Sequence, residues 1–74
     1  MSVLAELRRR AGLTTEELAR RAGVSYHVVA AHQRRGYRYG WRGDNLFRVA
    51  KVLAEALGME EGEVARLLMG EKPA

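Results

Sequence analysis

Apolar residues recur at helical spacing from one end of the chain to the other. Leu4, Leu7 and Ala11 lie three and four apart and mark one face of a first helix, which Ser2 can cap and Gly12 can end. Leu13 stands before Thr14-Thr15-Glu16-Glu17, the spacing of a capping box. The Thr14 hydroxyl can accept from the Glu17 backbone N–H while the Glu17 carboxylate reaches back, and Leu13 is placed as a hydrophobic staple. A second helix then runs to about Ala22 with Leu18, Ala19 and Ala22 inward, and Gly23 stops it. Ser25 can cap a third helix from Tyr26 to about Arg34, with Val29 inward. Asp44 has the chemistry of an N-cap for a fourth helix, whose stripe is Leu46, Val49, Ala50, Leu53 and Leu57 and whose stop is Gly58. A fifth carries Val64, Leu67 and Leu68 up to Gly70. No stretch alternates with the period of a strand, so the pattern predicts a compact all-α bundle of five helices over residues 1–70, with 71–74 as a frayed tail.

Gly23-Val24-Ser25 is the most informative joint. A three-residue turn makes two helices cross steeply. Ala19 is small enough to let the third helix pass close by, Gly23 makes the turn, and Val24 and Val29 fill the gap. A small residue, a glycine four later and an apolar residue six after that form the signature of a helix-turn-helix.

Charge sharpens this picture. The chain has 74 residues and a net charge of +4, with a pI near 10.1. Residues 1–43 carry nine arginines against Glu6, Glu16 and Glu17, a balance of +6, whereas residues 44–74 balance at −2. A basic front and an acidic back suit a polyanion bound on one side. The basic half ends in RRGYRYGWRG, Arg34 to Gly43, which holds four arginines, three glycines and three aromatics. Its arginines, Arg34, Arg35, Arg38 and Arg42, can neutralise phosphates, and its glycines let the chain approach a surface. Two other readings stay open for this loop. Tyr37, Tyr39 and Trp41, at alternate positions, can cover the base of a small core, or they can anchor a protein partner.

A domain this small buries only about 60% of its unfolded surface, which favours a binding surface over a catalytic cleft. There is no cysteine, two histidines are too few for a metal cage, and no nucleophile–base pair or carboxylate pair is visible. The expectation is therefore a non-enzyme without metal or cofactor. No run reaches the ~20 apolar residues of a membrane span, and no secretory leader is apparent, which points to the cytoplasm and the nucleoid.

The run LAELRRRAGLTTEELARRAGVSYHVVAAHQRRG, with LFRVAKVLAEALGMEEGEVARLLMG in the back half, resembles the phage-repressor-like (Cro/C1, or XRE) helix-turn-helix domains. The likeness spans about residues 4–70. It implies a lambda-repressor-like fold that binds double-stranded operator DNA as a dimer, with the third helix in the major groove. Position by position it puts DNA contacts on Thr14 and Thr15 at the start of the second helix and on Tyr26, His27, Ala30 and Ala31 of the third. It puts the dimer interface on the fifth helix, at Val64, Leu67, Leu68 and Met69, with the alternative that this helix only closes the core. The chain departs from the family pattern where a Glu commonly pairs with an arginine of the first helix: here Arg8 would meet the neutral Gln33. His32 sits at an apolar position, where packing against the fourth helix is expected. The third helix is poor in long polar readers, so the basic loop would act as an arm on the DNA backbone. The same fold can also serve as an adaptor for a protein such as an RNA polymerase subunit or a toxin.

Overall fold

A computed structural model describes residues 2–34 and 40–70. Five helices follow in order: α1 (Val3–Arg10), α2 (Thr15–Ala22), α3 (Tyr26–His32), α4 (Asn45–Leu57) and α5 (Glu61–Leu68). There is no strand among the described residues. The molecule measures 31 × 25 × 24 Å.

The helix starts follow local chemistry. Ser2 accepts from the Ala5 N–H at 2.9 Å. The capping box at α2 closes in both directions: the Glu17 N–H donates to the Thr14 hydroxyl at 3.0 Å, and the Thr14 N–H donates to the Glu17 carboxylate at 2.8 Å. Leu13 and Leu18, the staple pair, are both buried. Ser25 caps α3 by accepting from the His27 N–H. Asp44 behaves differently from its sequence expectation. It occupies the N-cap position of α4 but makes no capping hydrogen bond, because its ψ of 0° departs from the extended backbone that aims a cap side chain at the first turn. Its carboxylate lies 3.9 Å from Arg48 instead.

Gly23 sits at φ +69° and closes α2 through its N–H, which reaches the Ala19 and Arg20 carbonyls. Val24 then turns the chain, and its N–H bonds back to the Ala19 carbonyl at 3.0 Å. Arg48 braces this turn from α4 by donating to the Gly23 carbonyl at 3.3 Å.

The core is one cluster. Leu18, Val29, Val49, Leu53 and Val64 form its fully covered centre, with Leu4, Leu7, Ala19 and Ala50 around them. The thirteen-residue α4 is the axis and packs on α5, α2 and α1, while α3 is held mainly against α2. That arrangement leaves the outer face of α3 and the first turn of α2 side by side at the surface.

Candidate nucleic-acid interface

The outer face of α3 is set by helix geometry. Tyr26 and Ala30, four residues apart, lie along one edge with His27 beside them, and Arg34 follows just past the end of the helix. Tyr26 is 51% exposed, and its ring meets that of His27 edge-on at 5.7 Å. His27 and Arg34 are exposed, and Ala30 is half-buried within the stripe. Ala31 does not belong to it. Its methyl is buried at 8%, which corrects the expectation that it faces DNA. It lies about 40° further round the helix than His27, toward the flank of Val28 and His32 that packs inward, and a methyl there is covered where a longer side chain would emerge.

The first turn of α2 borders this stripe. Thr14, Thr15, Glu16 and Tyr26 line an open depression of about 490 Å³. Both Thr14 groups are engaged in the capping box, and the Glu17 carboxyl is pulled below its ordinary value, first by the Thr14 backbone N–H and then by the Thr14 hydroxyl. The N–H groups of Thr15 and Glu16 have no partner among the described residues. They are free donors at the positive end of a helix dipole, on residues that line the depression.

The Thr15 hydroxyl is tied inward. It accepts from the Gln33 amide N–H at 3.0 Å, while the Gln33 amide oxygen accepts from Arg8 Nε at 3.0 Å. Arg8 also donates to the Leu13 carbonyl at 2.7 Å, and Gln33 to the Val29 carbonyl at 3.3 Å. The meeting of Arg8 with Gln33 follows the sequence expectation. The extension to Thr15 does not, and it makes Thr15 a joint between α2 and the end of α3 more than a freely swinging reader.

The described end of the basic loop returns to α3. Trp41 lies flat on His32, with ring centroids 3.7 Å apart and planes 1° from parallel. Val28, His32, Gly40, Arg42 and Asn45 line a small cavity of about 120 Å³ at this contact. His32 therefore packs on the Trp41 ring of the loop, with Asn45 of α4 lining the same cavity. Burial holds its pKa below the ordinary 6.5, since the cation loses hydration there. Arg42 is exposed beside the stack. Arg35 and Arg38, the two middle arginines, lie outside the described residues, as do Tyr37, Tyr39 and the tail 71–74.

The proposed dimer residues divide. Val64 is fully buried in the core and cannot meet a second copy, which corrects that expectation. Leu68, four residues on and on the same face, packs against the core as well. Leu67 and Met69 point away, at 42% and 56% exposed.

Among the described residues no three His, Cys, Asp or Glu side chains gather as metal ligands, and no helix is long and apolar enough to cross a membrane. Comparison with protein-family models, curated proteins and solved structures finds no match.

Proposed function

We propose that this chain is a sequence-specific, double-stranded-DNA-binding transcriptional regulator of the repressor type. In this reading α2 and α3 act as a helix-turn-helix and α3 enters the major groove. The observation that carries it is the outward edge of Tyr26, His27 and Ala30, with exposed Arg34 just past the helix end, bordering the first turn of α2 with its free N–H donors of Thr15 and Glu16, on the half of the chain that balances at +6. Each part has a task on a duplex. Tyr26 and His27 offer hydrogen bonds to base edges, Ala30 offers a methyl to thymine, and the start of α2 offers backbone N–H groups to a phosphate. Arg34 and Arg42 neutralise further phosphates from the two ends of the loop, with Arg35 and Arg38 between them in sequence. Two copies, meeting through Leu67 and Met69, would read two half-sites. The reading places the protein in the cytoplasm, at the nucleoid.

A second reading has its own support. Phe47 on α4 is 57% exposed, and Leu67 and Met69 are 42% and 56% exposed, large apolar side chains of the kind a protein partner would cover. The protein would then be an adaptor.

Duplex binding measured by fluorescence anisotropy across a salt series separates the two. For the DNA reading, Arg34→Ala with Arg42→Ala flattens the slope of log K against log salt by about 2, and Tyr26→Ala with His27→Ala removes preference among sequences by ~1–3 kcal/mol per lost base contact. Binding that ignores salt and both pairs of substitutions contradicts it.

A further inference from the structure

A second basic concavity lies outside the surface just described. Arg21 on the last turn of α2 and Arg48 and Lys51 on α4 line one groove of about 300 Å³, with Ala22 and Val52 in its wall and Glu55 as its lone carboxylate. On α1 two cations are already engaged: Arg10 pairs with Glu6 at 3.0 Å, and Arg8 is taken up by Gln33 and Leu13. In the groove Arg48 is held by the Gly23 carbonyl and lies 3.9 Å from the Asp44 carboxylate, whereas neither Arg21 nor Lys51 has a carboxylate within ion-pair distance among the described residues, Glu17 acting on Arg21 only at longer range. Three cations from two helices thus share one depression with a single negative group. With Glu55 in its wall and Asp44 beside Arg48, the groove keeps an excess of positive charge, carried by Arg21 and Lys51, that an anion can neutralise.

The magnitude of the gain selects the anion. An exposed pair with an acidic peptide contributes about 0–1 kcal/mol, little against the entropy of ordering the peptide. A nucleic-acid backbone gains from counterion release at every phosphate neutralised. Position agrees with this choice. Arg48 reaches the Gly23 carbonyl, two residues before the Ser25 cap of α3, so the groove opens at the turn that leads into the reading helix. In a molecule of 31 × 25 × 24 Å, both lie within roughly one turn of duplex, about 34 Å.

We propose that the groove of Arg21, Arg48 and Lys51 holds a phosphodiester stretch flanking the bases read by α3, as a second backbone contact on the same duplex. This rests on the DNA-binding reading above. The test is anisotropy titration of a labelled duplex across a salt series with wild type, Arg21→Gln/Lys51→Gln, and Arg20→Gln as a cation of the same helix outside the groove. Arg48 stays in place because it braces the turn. The expected result for the double variant is a slope flattened by about 1.8, with unchanged preference between a selected and a scrambled duplex, and a near-wild-type slope for Arg20→Gln. A double variant whose line runs parallel to wild type overturns the groove assignment and leaves the DNA reading standing. An equal flattening by Arg20→Gln overturns it too, since the effect would then be general charge. Poly-glutamate held by wild type and lost by the double variant, with duplex binding unaltered, would assign the groove to an acidic protein. A wild type that binds no duplex at low salt removes both proposals.

Discussion

Single residues set the precision of the α2–α3 surface. Gln33 joins three segments by donating to Thr15 and accepting from Arg8. Replacing it with Ala should destabilise the fold by about 1–2 kcal/mol, seen in urea unfolding as a lower midpoint at unchanged m-value. An unchanged midpoint would mean that the network is only a surface arrangement. Glu17 gives a pH signature. Its carboxyl is held low by the Thr14 N–H and hydroxyl, so its contribution is complete above the ordinary value of 4.5 and is lost as pH falls through the lower folded value. Glu17→Gln should flatten the fall of thermal stability with acid below pH 4.5, and an acid limb parallel to wild type would count against the linkage. The capping box was legible in the sequence because it is local, with donor and acceptor three residues apart. The stack of Trp41 on His32 was not, because it joins residues across a loop whose path the sequence does not specify. Asp44 shows the opposite error: residue type suggested a cap, while backbone dihedrals decide one.

At the scale of elements, the turn between α2 and α3 sets where the exposed face of α3 lies. Gly23 has a positive φ, and a methyl there would meet only the end of Arg48 at 3.8 Å, an ordinary contact. Its conformation, and not crowding, makes it glycine. Gly23→Ala should therefore cost about 1–2 kcal/mol, whereas Gly62→Ala, inside α5 with open space and no positive φ, should raise stability by up to ~1 kcal/mol. Thermal melts of the two variants read this directly, and equal shifts would refute the conformational account. Helix number, order and inward faces followed from the 3.6-residue period. Which flank of α3 is covered did not, since Ala31 satisfies a solvent position and a buried one equally well by composition.

At the scale of the whole molecule, a single core built on α4 leaves separate surfaces for separate tasks. Leu67 and Met69 remain outside that core, whereas Val64 completes it. Leu67→Lys with Met69→Lys should leave thermal stability within about 0.5 kcal/mol of wild type and reduce two-copy occupancy on DNA to single-copy binding, as resolved by native mass spectrometry. Two-copy complexes that survive the pair would move the interface elsewhere. Val64 was misassigned in the sequence because five apolar positions near α5 exceed what one face can hold, and only the packing shows which of them are inward.

Whether α3 reads DNA sequence, as proposed, is decided by selection from a random duplex pool at physiological salt, followed by sequencing of the retained fraction. A dimer reading two major grooves should enrich an inverted repeat whose half-sites are centred about 10 bp apart, one helical turn. A pool that is not retained, or one that is retained and stays random, would contradict it.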